Sequence, residues 1–287
     1  MLSREYIRDT VRRELDSDIG SGDVTSLSVL PKNCRAKGEI VSRVPGIIAG
    51  LEFCETAFIE IDKSVDLAML KSDGDAVSSG DIVARISGDA ISLLSAERTA
   101  LNFLCHLSGI ATKAKNFVDA VTGTGTIIMD TRKTIPGMRL AEKYAVECSG
   151  ALNHRFGLFD MILIKDNHIA ASGGIDNVLS KLYAQNQPQV SVEIEVADIS
   201  QLEIALKYPV DRIMLDNFKP VEVQKAIEIR NRFSSKIPFE CSGGINIENV
   251  HSYAETGVEF ISVGAITHSA PQLDFSLDVV LSTETPE

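Results

Sequence analysis

A chain of 287 residues, 44% of them hydrophobic and 24% charged, is long enough to bury a sizeable core and to fold as one large or two smaller domains. Its 40 acidic residues outnumber its 28 basic ones, and the net charge of −12 argues against DNA, RNA or an anionic membrane as the main partner, since those need a basic face. The five cysteines form no CxxC pair, so we expect free thiols in the cytoplasm and no zinc site.

Residues 1–113 are predicted to form an α+β domain with an antiparallel sheet. Apolar residues four apart predict an amphipathic helix over 4–15, and its many charges are unlike a signal peptide. Short apolar runs separated by turn residues then indicate strands and a further helix over 51–61. The pattern is helical again over 92–121, where we expect Gly109 to divide the stretch into two helices.

After Gly125 short apolar runs recur, with helix-length segments between them. Six repeats of strand and helix predict parallel strands with right-handed crossovers. We therefore expect 114–270 to form a closed or nearly closed β/α barrel, with a doubly wound open sheet as the alternative, and 271–287 to pack back on the first domain. The absence of GxGxxG after the first of these strands weighs against a dinucleotide-binding fold. The predicted strands are Thr126–Met129, Met161–Ile164, Ser191–Val196, Arg212–Leu215, Pro238–Glu240 and Phe260–Val263.

Polar residues follow each predicted strand, and in a barrel such strand ends converge on one rim. Arginine makes bidentate bonds to carboxylate or phosphate, while lysine supplies a point charge. Surface salt bridges would explain any one cation, but they explain five at neighbouring strand ends less well. The pattern therefore predicts a pocket for a ligand with several negative charges. The five cationic candidates are Arg132, Lys133, His154, Arg155 and Lys165.

Acidic residues and glycines follow the remaining strands. Glu195 and Asp216 stand where carboxylates can accept sugar hydroxyls or hold Mg²⁺, although neutralising the lysines is an equal alternative. Ser242–Gly244 and Gly264 follow the last two strands, where barrels often bind a phosphate through backbone N–H groups. Tight turns are the alternative for these glycines. The residues alone thus predict a phosphorylated sugar with Mg²⁺ and a second, polyanionic ligand.

Nine short sequences, in order along nearly the whole chain, resemble those of one known family, quinolinate phosphoribosyltransferase. The resemblance implies a small N-terminal α/β domain followed by a barrel of six parallel strands. It implies a transferase that joins quinolinate to phosphoribosyl pyrophosphate and yields nicotinate mononucleotide, pyrophosphate and carbon dioxide in NAD synthesis. The matching sequences are GDVT at 22–25, ERTALN at 97–102, DTRKTIPG at 130–137, NHR at 153–155, LIKDNH at 163–168, EIEV at 193–196, LDNF at 215–218, SGG at 242–244 and VGAITHS at 263–269.

The same resemblance implies that four cations clamp the two carboxylates of quinolinate: Arg98, Arg132, His154 and Arg155. Taken alone, Arg98 lies on a mostly apolar helix face, where an arginine usually pairs with a carboxylate or reaches water. In the family its counterpart comes from the neighbouring subunit. The resemblance therefore implies a homodimer or a larger homo-oligomer with Arg98 contributed across the interface.

The remaining roles implied by the resemblance concern phosphoribosyl pyrophosphate. Lys133 and Lys165 are implied to contact pyrophosphate and the reacting centre, with Thr131 beside them. Glu195 and Asp216 are implied to bind the ribose hydroxyls and the Mg²⁺ that accompanies this substrate. The residues implied to bind the 5′-phosphate are Ser242, Gly243, Gly244, Val263, Gly264 and Ala265.

One departure from the family stands before the NHR sequence, where Ser149-Gly150-Ala151 replaces a glycine triplet and restricts the loop conformations. Two other functions fit part of the pattern. A Schiff-base aldolase would use Lys165 as nucleophile, but the cations around that lysine suit polyanion binding. A catalytically silent sugar-phosphate-binding relative on the same fold would not need the charged positions, all of which are present.

Overall fold

The computed structural model describes residues 2–32, 34–185 and 188–281, so the prediction for 271–287 extends past the described residues. The chain separates into two compact units. Within the described part, no helix is both long and apolar enough to cross a membrane. The first unit draws on residues 1–113, 140–149 and 270–287, and the second on 114–139 and 150–269.

Strands and helices are numbered in chain order. The strands are β1 (Arg35–Ser42), β2 (Gly46–Ile47), β3 (Asp66–Met69), β4 (Ala76–Val77), β5 (Ile82–Asp89), β6 (Ile127–Met129), β7 (Ile162–Ile164), β8 (Val192–Val196), β9 (Arg212–Asp216), β10 (Phe239–Ser242), β11 (Phe260–Ser262) and β12 (Phe275–Leu281). The helices are α1 (Arg4–Ile19), α2 (Val24–Val29), α3 (Leu51–Ile61), α4 (Ala90–Ala120), α5 (Arg139–Cys148), α6 (Asp166–Ala171), α7 (Ile175–Gln185), α8 (Ile199–Ala205), α9 (Pro220–Arg232), α10 (Val250–Ala254) and α11 (Ala265–His268).

The first unit contains a four-stranded antiparallel sheet in the order β12-β1-β5-β3, which confirms the predicted antiparallel sheet. At its centre, Gly38 of β1 lies opposite Ile86 of β5 and Val279 of β12. Strands β2 and β4 form a separate pair. The predicted amphipathic helix is α1, which buries Ile7 and the apolar residues one and two turns later.

Helix α4 corrects the prediction made for Gly109, because the helix runs through that position without a break. A Cβ atom at Gly109 would collide with the carbonyl oxygen of Pro271. The glycine therefore allows two backbone segments of the first unit to lie close together. Sequence alone suggested a helix end because the neighbouring segment is 162 residues away along the chain.

The second unit is a sheet of six parallel strands in the order β6-β11-β10-β9-β8-β7. The last strand of the unit, β11, pairs with the first, β6, which is the cyclic order of a barrel and excludes the doubly wound alternative. In the described residues β6 and β7 do not pair with each other, so the barrel is open at one seam. A single parallel bridge joins Met129 of β6 to Leu152, which lies in the segment between the two strands. The six predicted strands are confirmed, with ends that differ by one or two residues.

The barrel interior holds charged groups as well as aliphatic ones. Glu193 on β8 and Glu240 on β10 are fully buried, in a position that barrels usually fill with aliphatic side chains. Side chains two apart on a strand share a face. Glu195 and Ser242 therefore stand directly above these carboxylates, at the carboxyl ends of the same two strands.

Candidate active site

A pocket of about 580 Å³ lies at the carboxyl ends of the second unit's strands. Eleven of the predicted site residues line it, together with four that the sequence analysis did not assign. The predicted ones are Thr131, Arg132, Lys133, His154, Arg155, Lys165, Glu195, Asp216, Ser242, Gly243 and Gly244, and the others are Leu163, Met214, Asn217 and Ser262.

Two arginines of the pocket each have a buried N–H donor that is not paired with an acceptor in the described part of the chain. Among the described residues, the Nε atoms of Arg132 and Arg155 are buried and have no hydrogen-bond partner. Burial, and then the charge of Arg132, lowers the pKa of Arg155. Because a buried unpaired donor is costly, this part of the pocket fits a ligand that brings carboxylate or phosphate oxygens.

The segment that carries His154 and Arg155 is fixed to the end of β6. The fully buried Asp130 accepts a hydrogen bond of 2.7 Å from the His154 amide. Arg155 is held further by its own Nη1, which donates to the carbonyl of Met161 at 3.0 Å. The Asp160 carboxylate then accepts from the amides of the two residues after Arg155. These contacts give the arginine a fixed starting point before any ligand arrives.

Opposite charges meet at the ends of the next strands. Lys165 Nζ lies 2.7 Å from Glu195 Oε2, so the two groups neutralise each other in the free protein. Asp216 Oδ2 accepts a 2.7 Å hydrogen bond from Asn217 Nδ2, which leaves its second oxygen available to the pocket. A ligand with phosphates and hydroxyls can separate the first pair, since it offers the lysine an anion and the carboxylate a donor.

The backbone after β10 is exposed to the pocket at its glycines. Gly243 and Gly244 have φ of 96° and 64°, a region that favours glycine. A Cβ atom at Gly243 would collide with Asn217 Oδ1, whereas nothing lies within 4 Å of one at Gly244. Asn217 itself has φ of 58°, and its amide donates to the Ser242 carbonyl at 2.8 Å. Backbone in this region is costly for a non-glycine residue and recurs at functional sites.

Four predicted site residues do not line this pocket. Val263 is buried, and Ala265 begins α11. A Cβ atom at Gly264 would lie 3.0 Å from Lys133 Cδ, so this glycine makes room for the lysine stem. Arg98 belongs to the first unit, where its side chain is 67% exposed and lies 3.9 Å from Glu97.

Strand periodicity could have found three of the four residues that the sequence analysis left out. Met214 stands two positions before Asp216 on β9, Leu163 stands two before Lys165, which directly follows β7, and Ser262 stands two before Gly264. Because side chains two apart share a face, they line the same space one layer deeper. Asn217 follows Asp216 directly, and its role depends on a left-handed backbone that the sequence did not indicate.

Beneath the pocket, His154 faces the buried carboxylates. Its Nε2 lies 3.1 Å from Glu193 Oε2 and 3.5 Å from Glu240 Oε2. Burial lowers the pKa of His154, but the adjacent carboxylates of Glu193 and Glu240 outweigh burial and raise the pKa to about 9. Burial, and then the charge of Glu240, raises the pKa of Glu193 to about 7. Arg212 Nη1 donates to Glu240 Oε2 at 2.9 Å and balances part of this negative charge.

At 149–151, where the sequence departs from a glycine triplet, only the middle residue has a left-handed backbone. Gly150 has φ of 86°, so the position that needs glycine has kept it. Among the described residues, positive φ outside glycine occurs only at Asn217 and Ser234, so Ser149 and Ala151 adopt ordinary conformations. Both are buried, and the Ser149 hydroxyl donates to the Val146 carbonyl at 2.6 Å.

Comparison with known proteins assigns the family. Family models described as quinolinate phosphoribosyl transferase, N-terminal domain and C-terminal domain, match residues 23–108 and 110–278. The Mycobacterium leprae protein named nicotinate-nucleotide pyrophosphorylase (carboxylating) is 42% identical over 95% of this chain and 96% of its own. A Bacillus subtilis protein, named as probable for the same activity, is 42% identical over 94% of this chain and 92% of its own.

A solved structure agrees with these sequence matches. The nicotinate-nucleotide pyrophosphorylase from Francisella tularensis superposes with a TM-score of 0.92 at 38% identity and covers 98% of both chains. The two matching family models together span most of the chain, and the charged residues of the pocket lie within the second. The chain belongs to the quinolinate phosphoribosyltransferase family.

Proposed function

We propose that the protein transfers the phosphoribosyl group of phosphoribosyl pyrophosphate to quinolinate with loss of carbon dioxide, which gives nicotinate mononucleotide and pyrophosphate. The observation that carries this proposal is the pair of buried, partnerless Nε donors on Arg132 and Arg155, in one pocket with a lysine–carboxylate pair and open glycine backbone. A planar dicarboxylate suits the guanidinium groups. The names of the relatives support the same reaction.

In this reaction the carboxylates at the rim act on the sugar. Departure of pyrophosphate leaves an oxocarbenium-like ribose, whose positive charge the carboxylates of Glu195 and Asp216 stabilise. Lys133 and Lys165 offset the negative charge that develops on the leaving group. Because Lys165 is paired with Glu195 beforehand, substrate binding frees both groups for these roles at once.

The pyridine nitrogen of quinolinate then bonds to C1 of the ribose. The ring becomes cationic and accepts the electron pair left at C2 when carbon dioxide departs, after which C2 takes up a proton. Arg132 and Arg155 hold the ring through its carboxylates, so the nitrogen faces the sugar. No covalent bond between protein and substrate is needed, which distinguishes this proposal from a Schiff base on Lys165.

The pocket also fits Mg²⁺ brought in with the pyrophosphate substrate. Glu195 and Asp216 offer oxygen ligands, which Mg²⁺ prefers, and Mg²⁺ usually takes one or two protein carboxylates with water and phosphate oxygens. In the described residues, the group of three closely spaced potential ligands is elsewhere, at His154, Glu193 and Glu240. Bound by Glu195 and Asp216, Mg²⁺ would supply positive charge to the pyrophosphate oxygens.

Self-association forms part of the proposal, with Arg98 reaching the quinolinate pocket of a neighbouring subunit. Its guanidinium is exposed and its contact with Glu97 is long, so it is available to a second chain. Each unit also exposes large apolar side chains: Leu158 and Phe159 are 74% and 81% exposed, and α2 exposes Val24. Such clusters are typical of protein interfaces.

We also propose a cytoplasmic location, which five free cysteines support.

A paired assay tests the reaction. Protein is incubated with quinolinate, phosphoribosyl pyrophosphate and Mg²⁺, and nicotinate mononucleotide is followed by mass spectrometry. We expect product from the wild type and strongly reduced product from Lys165→Ala. Lys71→Ala is the matched control, since Lys71 also pairs with a carboxylate, Asp81, at 3.4 Å but lies in the first unit. Folded wild-type protein that forms no product would favour a silent sugar-phosphate-binding protein.

Substrate choice tests the arginine pair separately. Nicotinate has one carboxylate, so it would leave a buried guanidinium without an acceptor, and sites built for a polar group reject ligands that lack it. We expect kcat/KM for nicotinate to fall far below that for quinolinate. Comparable values would contradict the proposed clamp while leaving phosphoribosyl transfer itself in place. Borohydride trapping of an adduct on Lys165 would instead support the aldolase reaction.

A further inference from the structure

The ring of His154 lines the pocket, yet neither of its nitrogens is directed to a ligand there. Nε2 faces inward to Glu193 and Glu240. Nδ1 accepts a 2.7 Å hydrogen bond from the backbone amide of Arg155. The residue that the sequence resemblance assigned to the carboxylate clamp therefore contacts its neighbours in the protein through both nitrogens.

The Arg155 amide decides the protonation form of this ring. A backbone N–H can only donate, so Nδ1 must present a lone pair. In a neutral imidazole the other nitrogen then carries the proton, which places Nε2–H against the carboxylates. The carboxylates favour a second proton on the ring and raise the pKa of His154, but that proton would have to be on Nδ1. Its N–H and the Arg155 N–H would then point at each other across 2.7 Å, so the geometry favours the neutral form with its proton on Nε2.

The same constraint excludes a metal ion as the simplest occupant of the buried cluster. The ligand atoms of His154, Glu193 and Glu240 lie within 4.8 Å of one another, a spacing that a metal site could have. A metal on Nε2 requires the proton to be on Nδ1, where the Arg155 amide already donates. Arg212 supplies the positive charge for Glu240 instead, at 2.9 Å.

We propose that Glu193, Glu240 and Arg212 form a positioning network that holds His154 as its neutral Nε2–H tautomer, so that the ring in turn fixes the backbone and side chain of Arg155. Arg155 is the residue that contacts the ligand, and His154 acts through it. Arg212 donates to Glu240 and holds it in place, with the guanidinium 4.2 Å from the centre of the Phe260 ring.

The network has a clear use, because Arg155 is held at several points along its length. The amide donates to His154, and the side chain donates through Nη1 to the Met161 carbonyl, while Nε is left for a ligand. A ring that turned away from Glu193 would release the amide and let the guanidinium shift. Catalytic groups lose activity when their supporting contacts are lost, even though no ligand contact is removed.

The test begins with the wild-type protein and needs no activity. Histidine labelled with ¹⁵N gives side-chain signals for five residues, and His154→Gln assigns the signal of interest. We expect one protonated and one unprotonated ring nitrogen, with the proton on Nε2. A doubly protonated ring, or loss of the Nε2 proton on addition of Zn²⁺, would overturn the proposal.

Two variants of Glu193 then test whether it acts on His154 as a hydrogen-bond acceptor or through its negative charge. Glu193→Gln keeps an oxygen that can accept from Nε2–H, so we expect the same tautomer and a KM for quinolinate within about twofold of wild type. Glu193→Leu removes the carboxylate that lies 3.1 Å from Nε2, and loss of this one contact predicts a KM raised about tenfold with kcat changed much less. Glu142→Gln and Glu142→Leu are the controls, because Glu142 is equally buried and contacts His106 in the first unit.

The kinetic part of this inference rests on the proposed function, and the two can fail separately. Absence of product from the wild type would contradict the reaction, while the wild-type ¹⁵N signals would still decide the tautomer. Unchanged KM and unchanged signals in Glu193→Leu would contradict the network and leave the reaction standing. If that variant does not fold, the wild-type signals and Glu193→Gln still give the answer.

Discussion

Two described histidines, one in each unit, contact a fully buried glutamate with nearly the same geometry. In the first unit, His106 Nε2 lies 3.0 Å from Glu142 Oε1, and in the barrel, His154 Nε2 lies 3.1 Å from Glu193 Oε2. Both glutamates are fully buried. The barrel pair differs in its surroundings, since a second carboxylate and the amide of Arg155 complete it. A histidine beside a buried carboxylate therefore does not by itself mark a functional site. In the barrel, the contact of His154 with the Arg155 amide connects the pair to the pocket.

The largest difference between the two pairs should follow from removing Arg155, the arginine whose amide contacts His154. Arg155→Ala leaves the substrate carboxylate without its partner, and truncating one member of a desolvated charge pair costs about 2–5 kcal/mol. We therefore expect kcat/KM for quinolinate to fall by roughly 30-fold to several thousandfold. The measurement is a steady-state assay at saturating phosphoribosyl pyrophosphate. Arg85→Ala is the control, because Arg85 pairs with Glu39 on the surface of the first unit, and a similar loss there would contradict the prediction.

The histidines themselves give the next largest contrast. His154→Phe and His106→Phe each remove the histidine that contacts a buried glutamate, so we expect both to lower the free energy of unfolding by about 1–3 kcal/mol. Only His154→Phe should also reduce kcat/KM, by about tenfold or more, because it releases the Arg155 amide. Urea unfolding and the same assay measure the two effects. Equal kinetic losses in both variants would remove the distinction between the pairs.

Alanine variants of two glycines compare a position in the pocket with a position that has only a structural role. Gly243 and Gly150 both have positive φ, so alanine at either position should destabilise the fold by about 1–2 kcal/mol. At Gly243 the new Cβ would also displace Asn217, whereas at Gly150 it would meet nothing within 4 Å. We expect the KM for phosphoribosyl pyrophosphate to rise in Gly243→Ala alone. A rise of equal size in Gly150→Ala would argue that general loosening is the cause.

The smallest expected effect concerns pH and the loop after Arg155. Burial raises the pKa of Asp160, but hydrogen bonds from the amides of Gly157 and Phe156 outweigh it and leave the pKa below its usual value. A carboxyl whose pKa is lower in the folded state stabilises the protein above its unfolded pKa, and loses that effect as pH falls through the folded pKa. Wild type should exceed Asp160→Asn in unfolding free energy by about 1 kcal/mol or less at pH 7. The difference should shrink below about pH 4, as urea unfolding would show; a constant difference would contradict it.

Much of the barrel could be predicted because its signals are local. A short apolar run that ends in charge marks both a buried strand and the rim of the pocket, and Lys165 and Asp216 followed from that rule alone. The alternation of side chains along a strand would have added Leu163 and Met214. These features need only a few consecutive residues.

The features that could not be predicted depend on contacts between distant parts of the chain. Gly109 looked like a helix end because Pro271, which passes beside it, is far away in sequence. The direction of the His154 nitrogens depends on carboxylates from two other strands. Arg98 is a different case, since its proposed role needs a second chain, and its exposure in one chain leaves that role open to experiment.

The seam between β6 and β7 has a consequence for how the pocket can adapt. A closed ring of strands has a fixed circumference, because any widening breaks a ladder of hydrogen bonds. Within the described residues this ring is cut at one place, where β6 pairs through a single bridge, Met129 to Leu152, with the segment just before His154 and Arg155 and not with β7. The cut edge can widen or narrow while all five ladders stay whole. The barrel is therefore stiff around most of its perimeter and adjustable at the side where the dicarboxylate would bind.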